Sequence, residues 1–409
     1  MTQKMEASVS QQDLKELELN SLLEITQAIN NNLPEASLYK IYHFTLLGNL
    51  KVKKLAMYVY EEGWECKLSF GVKARKIPVL SQAYAQLLIE KEIEENEGFW
   101  SEFQMVFPVR HKEKLLAVVF LGSQEAHQTE QGASHNLTFI KALTNIILVA
   151  IENKKLARKQ LEQEALRKEL EIARQVQTFL FPKNLPHLEN LQLEATYIPH
   201  KNVGGDYYDY LELSQGKFLM CIADVSGKGI PAALLMSNFQ AALRMIVRKT
   251  YDLREIVYEL NRQIMFNSNG ENFITFFMTI YDSNAAMMSY VNCGHNPPIL
   301  FTSSGYQTLE EGTTVLGMFE NLPFMNVGKV KNLHDFIFFG YTDGLTETFS
   351  EAEEEFGHER LLMALSDIRT RSLAGIHEAV ITALEGFKGK EAYRDDITML
   401  SCKVMSKKS

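Results

Sequence analysis

Apolar residues recur at three- and four-residue spacing early in the chain. Leu22, Ile25 and Ile29 share one face of a helix that starts at Asp13 and stops at the Asn30–Asn32 run. A second helix follows Ser37, with Leu38, Ile41 and Leu46 turned inward. The period then falls to two. Leu55–Tyr60 and Trp64–Phe70 predict a hairpin across Glu61-Glu62-Gly63, and Phe103–Val109 and Leu115–Leu121 a second one across Arg110–Lys114. Residues 78–95, between them, read as helix. A helix from about Ser134, with Leu137, Ile140, Leu143 and Ile147 on its core side, closes a small α+β domain over 12–152. Residues 1–11 are polar and are expected to form a disordered tail.

The closing helix has no stop signal for another thirty residues, since neither Gly nor Pro occurs from Val149 to Leu180. Heptads counted back from Leu180 place Val149, Leu156, Leu166, Leu170, Ala173 and Leu180 at a and d positions. Glu152, Lys159, Gln163 and Gln177 fill the rest. The seam is imperfect, but Leu156–Leu170 is too polar for a core helix. The pattern predicts a helical linker over 153–182 that pairs as a parallel dimeric coiled coil and ends at Pro182 and Pro186.

Residues 183–405 return to strands. Leu191, Leu193, Ala195 and Tyr197 alternate, and 217–224 is an apolar run ending at Asp224. Pro231 opens a helix whose expected buried face is Leu235, Phe239, Ala242 and Ile246. Another helix covers 252–267. Phe273–Tyr281 and Met287–Asn292 form a hairpin, Phe336–Phe339 is a buried strand, helices lie near 357–368 and 373–387, and Ile397–Val404 is the last strand. Antiparallel hairpins with paired helices predict an αββα sandwich, so the chain as a whole reads as α+β.

Composition adds exclusions. The chain has 409 residues, 46% hydrophobic and 23% charged, with a formal net charge of −9. That balance argues against a nucleic-acid footprint. The four cysteines show no metal-type spacing, and three sit in strand-like runs, as expected of free thiols in a reducing cytoplasm. The polar N-terminus and the short apolar runs predict a soluble chain without a membrane span.

The chemistry concentrates in acidic residues at strand ends. Asp206 follows Gly204-Gly205, Asp224 ends a strand, Asp343 lies in Thr342-Asp343-Gly344, and Asp395-Asp396 precede the last strand. An Asp before Gly is by itself an ordinary turn former. Several in one domain, if they converge, would repel one another and call for cations. Oxygen donors without a Cys or His cluster point to Mg²⁺ or Mn²⁺. Gly227-Lys228 lacks the spacing of a P-loop, and there is no His-Glu-x-x-His. Gly204-Gly205-Asp206-Tyr207-Tyr208 is also similar to the hairpin motif of diguanylate cyclases. A non-catalytic phosphoprotein-binding scaffold is a third reading.

Five ordered motifs carry a stronger resemblance. They are Val203-Gly204-Gly205-Asp206-Tyr207-Tyr208-Asp209, Ala223-Asp224-Val225-Ser226-Gly227-Lys228-Gly229, Asn292-Cys293-Gly294-His295-Asn296-Pro297-Pro298, Tyr341-Thr342-Asp343-Gly344 and Arg394-Asp395-Asp396-Ile397-Thr398. Together they resemble the SpoIIE/RsbU-type branch of the metal-dependent (PPM, type 2C-like) serine/threonine phosphatases. The resemblance implies two Mn²⁺ or Mg²⁺ ions and hydrolysis of phosphoserine or phosphothreonine by an activated water. Asp224 would bridge the ions with help from the Val225 carbonyl, Asp343 and Asp395 would complete the set, and Asp206 would hold an ion or its water. Gly205, Asp396, Lys228 and His295 are accessory candidates, and a structural hydrogen bond in its turn is the favoured role for His295. The block 12–152 resembles a GAF sensor domain by element order, which implies a small-molecule or protein input. Residues 169–182 resemble the regulatory helix ahead of the family's catalytic core. The family's usual substrate class would be a phosphorylated STAS-domain anti-sigma factor antagonist.

Overall fold

The period-two segments become three sheets. The computed structural model describes residues 2–72, 79–80, 91–92, 102–111, 114–122, 130–268 and 270–406. The chain divides into two compact units, Met1–Glu164 and Ala165–Ser409.

The first unit holds a five-stranded antiparallel sheet. Its strands are β1 (Leu55–Tyr60), β2 (Trp64–Phe70), β3 (Lys91–Glu92), β4 (Met105–His111) and β5 (Lys114–Leu121), in the order β2-β1-β5-β4-β3. Met57, Phe107 and Val119 bury one face in a core shared with Ile25, Leu38, Tyr42, Ile140 and Leu143 from the helices. Tyr42 Oη lies 2.5 Å from Thr144 Oγ1, so the buried phenol is satisfied. Two expectations change. The first helix runs Thr2–Asn30 and takes in the residues expected to be disordered, because nothing in 1–30 breaks a helix. Of the helix expected over 78–95, Lys91–Glu92 is instead a strand on the edge of β4, and most of the remainder lies outside the described residues.

A helix of 49 residues, Glu130–Thr178, covers the expected linker as far as Thr178 and stops four residues before its expected end. Leu156 and Leu166 of the anticipated seam are 54% and 55% exposed. At its C-terminal end, Gln177 and Leu180 are turned into the second unit's own interior.

The second unit has four layers. One sheet contains β7 (Tyr207–Ser214), β8 (Lys217–Val225), β9 (Ile274–Asp282), β10 (Met287–Cys293), β13 (Gly312–Thr313) and β14 (Gly328–Lys331). The other contains β6 (Leu191–Ile198), β11 (Ile299–Thr302), β12 (Gly305–Thr308), β15 (Phe336–Tyr341) and β16 (Ile397–Val404). Phe218, Met220, Ile222 and Phe277 of the first face Phe338, Leu400 and Cys402 of the second in a shared core. Helices Ile230–Val247 and Leu253–Ser268 cover one outer face, and Gly357–Ala364 and Leu373–Lys388 the other. The helix Ile230–Val247 buries Ala232, Met236, Phe239, Leu243 and Val247, a face rotated by one residue from the expected one. It is the one described helix long and apolar enough to cross a bilayer, and that buried face packs on the sheet.

Candidate functional site

The alternation along the central strands decides where each acidic residue points. On β8, Leu219, Cys221 and Ala223 face the helices, whereas Met220 and Ile222 face the opposite sheet. Asp224 continues the second set at the strand's end. The register that pairs Tyr207 with Ala223 brings Asp206 opposite Asp224 on the same side. From the other sheet, Thr342 and Thr398 continue the inward set of Phe338 and Leu400. Both hydroxyls donate to Asp206 Oδ2, at 2.8 and 2.5 Å. The two sheet ends are thus joined through one buried carboxylate.

The electrostatics follow from that crowding. Burial pushes the Asp206 carboxyl well above its ordinary range, and the charges of Asp224 and Asp396 push further against the two threonine hydroxyls. Asp224 is raised to about 7, first by burial and then by Asp343, with Asp395 and Asp396 adding to it. Asp343 is raised by burial and by Asp395, and Lys228 opposes the shift. Asp206, Asp224, Asp343 and Asp395 therefore act on one another as a single acidic cluster.

Glycines let the backbone close around it. A Cβ on Gly204 would fall 2.0 Å from Asp396 Oδ2, one on Gly205 2.8 Å from the Val225 carbonyl oxygen, and one on Gly344 2.0 Å from the Asp396 carbonyl oxygen. Asp396 accepts the backbone N–H groups of His200 and Gly205, each at 2.8 Å, so its carboxylate holds the Gly205 loop in place. Gln177 clasps the same loop. Its Nε2 donates to the Gly204 carbonyl at 2.8 Å, and its Oε1 accepts Gly204 N–H at 3.4 Å.

Lys228 and His295 have different surroundings. Lys228 Nζ lies 2.5 Å from Asp395 Oδ2. His295 is buried, shares a 2.8 Å hydrogen bond between Nδ1 and Thr275 Oγ1, and has its pKa lowered to about 3 by burial. Its Nε2 is buried without a hydrogen-bond partner among the described residues. The imidazole is neutral at physiological pH and braces Thr275, the β9 residue that pairs with Asp224.

As the side chains stand, no three Asp, Glu, His or Cys groups among the described residues converge on one point. The donor set nevertheless fits hard divalent cations. It is oxygen only and partly buried, and Asp206, Asp224 and Asp343 are raised in pKa by burial and then by neighbouring carboxylates. Asp206, Asp224, Asp343 and Asp395, with the Val225 carbonyl beside Gly205, are the groups that would hold them.

Sequence reasoning missed several contributors. Thr342 and Thr398 stood inside the quoted motifs, one and two residues from an acidic position, and that proximity was their signal. Gln177 carried none, since it read as a polar break in the heptad seam. The Arg244–Asp209 pair was also missed. Asp209 is fully buried facing the helices, where it accepts Arg244 Nε at 2.8 Å, Arg244 Nη2 at 3.0 Å and the Tyr207 hydroxyl. The Gly204-Gly205-Asp206 stretch joins β6 of one sheet to β7 of the other, so it is not the turn of a hairpin, as the cyclase reading requires.

Comparison with known proteins places this geometry. Residues 214–405 match the family model for stage II sporulation protein E (SpoIIE). Protein IcfG of Synechocystis is 29% identical over 266 residues, covering 58% of this chain and 41% of that protein. The phosphoserine phosphatase RsbU of Bacillus subtilis is 30% identical over 191 residues, 46% of this chain and 56% of that one. The chain thus spans about half the length of these curated relatives. The SiaA-PP2C domain of Pseudomonas aeruginosa superposes with a TM-score of 0.53 at 22% identity, covering 59% of this chain and 98% of that domain, which supports the shared fold.

Proposed function

The second unit carries a SpoIIE-type domain of the PPM class of metal-dependent protein phosphatases, and from that premise we propose that this chain hydrolyses phosphoserine or phosphothreonine on a signalling protein. The observation that carries the reading is the acidic cluster around the buried Asp206, in which three carboxyls are raised in pKa. Asp206, Asp224, Asp343 and Asp395, with the Val225 carbonyl, would hold two Mn²⁺ or Mg²⁺ ions. When bound, such ions supply an acidified water as nucleophile and positive charge for the phosphoryl oxygens. The Thr342 and Thr398 hydroxyls fix the Asp206 carboxylate, and Asp396 fixes the loop that carries it.

The N-terminal unit is read as a GAF-like input domain, and the helix 130–178 as the element that passes its state on. Gln177 supports this because it grips Gly204, two residues from Asp206. A two-position helix end would then bias the site. In the same reading the chain is cytoplasmic and dimeric through this helix, and its substrate is a phosphorylated STAS-domain anti-sigma factor antagonist.

The test is release of phosphate from p-nitrophenyl phosphate and from a phosphoserine peptide by the purified chain with Mn²⁺. Activity that disappears in Asp224→Asn and Asp343→Asn supports the reading. Formation of cyclic di-GMP from GTP instead would overturn it. The exposed pair Leu156→Asp and Leu166→Asp probes the helix: unchanged mass in solution and unchanged activity would remove the dimer and its coupling.

A further inference from the structure

The charges of the acidic cluster are balanced at one point. Among the described residues, the ion pair to this set is the one from Lys228 to Asp395. The ammonium also donates to the Arg394 carbonyl at 2.6 Å, which fixes its position beside Asp395 Oδ2. The other oxygen, Asp395 Oδ1, accepts the backbone N–H of Asp396 at 2.9 Å. Both carboxylate oxygens are therefore taken by donors of the chain itself.

The neighbouring cation does not share this task. Arg394 sends Nη2 to both carboxylate oxygens of Glu353 at 2.9 Å and lies over the Phe349 ring, 4.2 Å from its centroid. Lys228 is held differently. Its side chain is 44% exposed, and the glycines on either side have φ of 94° and 75°. No heavy atom lies within 4 Å of where either glycine would carry a Cβ, so the loop has open space around it.

We propose that Lys228 is a resident counter-ion of Asp395, which a divalent cation must displace from Oδ2 to complete the site. The exchange moves no proton: the lysine leaves as an ammonium, and the loop between Gly227 and Gly229 has the room to take it aside. Loading of the Asp395 position is therefore a competition between a tethered single charge and a free double charge. The affinity of the cation at the Asp395 position is set partly by a residue that does not ligate it. This inference rests on the reading of the acidic cluster as a metal centre.

Calorimetric titration of MnCl₂ into the EDTA-treated, dialysed full chain tests it, with Lys228→Met, Lys228→Gln and Lys228→Arg compared to the wild type. Removing an ion pair of this exposure is expected to tighten Mn²⁺ binding at the Asp395 position about fivefold in both neutral variants, and the Arg variant is expected to stay at or below wild-type affinity. In EDTA the neutral variants are expected to melt about 2–4 °C lower, because Asp395 has lost its counter-ion. Damage to the loop would loosen Mn²⁺ binding, so tightening is a result that a merely structural role does not produce. Unchanged or weaker Mn²⁺ binding in both neutral variants would overturn the inference. Absence of Mn²⁺ binding in the wild type would overturn the metal-centre reading beneath it.

Discussion

Asp209 and Asp206 are buried aspartates on neighbouring turns of pleat, and the protein treats them in opposite ways. Asp209 faces the helical layer, where the Arg244 guanidinium meets it in a two-pronged pair and Tyr207 donates a further hydrogen bond. Asp206 faces the space between the sheets, where it receives neutral threonine hydroxyls and the repulsion of Asp224 and Asp396. A buried carboxylate with a fitted cation serves the fold, because the geometry compensates its desolvation. A buried carboxylate surrounded by other carboxylates opposes the fold, and is kept where a ligand will supply the charge. The strand and its entry thus carry a charge-compensated aspartate on one side and an electrostatically crowded one on the other.

The sharpest way to break this contrast is to take the cation from Asp209. Arg244→Met is expected to cost about 3–5 kcal/mol in urea unfolding, because it strands a buried charge. The double variant with Asp209→Asn should recover much of that loss. A small loss in the single variant would mean that Asp209 is no better provided for than Asp206. On the other side, Asp224→Asn and Asp343→Asn are expected to lower phosphatase activity by about a hundred- to a thousandfold while leaving the metal-free fold as stable or more so. A stability loss like that of Arg244→Met would make these residues structural too.

pH separates the two sides next. Asp224 keeps its proton to about 7 in the folded chain against an ordinary 3.8. Between those values the folded state binds the extra proton, so its stabilising contribution is complete at the acid end and is lost as pH rises through 7. Asp206 and Asp343 shift in the same direction. In EDTA, stability should therefore fall by about 1–3 kcal/mol from pH 5.5 to pH 8, and saturating Mn²⁺ should abolish that fall. A flat profile in EDTA would show that the acidic cluster is not electrostatically stressed. The smallest expected effect is that of Gln177→Ala, which removes the clasp on Gly204 and should cost about 1 kcal/mol. It should also weaken Mn²⁺ binding, and unchanged affinity would disconnect the helix end from the site.

The acidic residues were legible because each stands at or beside a strand end, Asp206 and Asp343 next to glycines, and the layers followed from hairpins alternating with helical stretches. The sides were not legible. β8 is apolar on both faces, so Phe218 to Ala223 give no hint of which alternate set meets helix and which meets sheet. Without that, Asp209 and Asp206 cannot be told apart by pattern, and Arg244 reads as one more surface residue of its helix. The same ambiguity explains the one-residue rotation of helix Ile230–Val247, where Leu234, Leu235 and Met236 are all apolar. The pairing of Lys228 with Asp395 was not legible, because the two lie far apart along the chain. The helix over the first thirty residues was missed for another reason: polarity was read as disorder, although no residue there interrupts a helix.

Manganese stoichiometry tests the central claim most directly. Titration calorimetry, paired with electron paramagnetic resonance of the bound ion, should find two Mn²⁺ per wild-type chain. Asp224→Asn should lose both ions, and the paired variant Asp209→Asn with Arg244→Met should keep both. Failure of the wild type to bind Mn²⁺, or full binding by Asp224→Asn, would contradict the account.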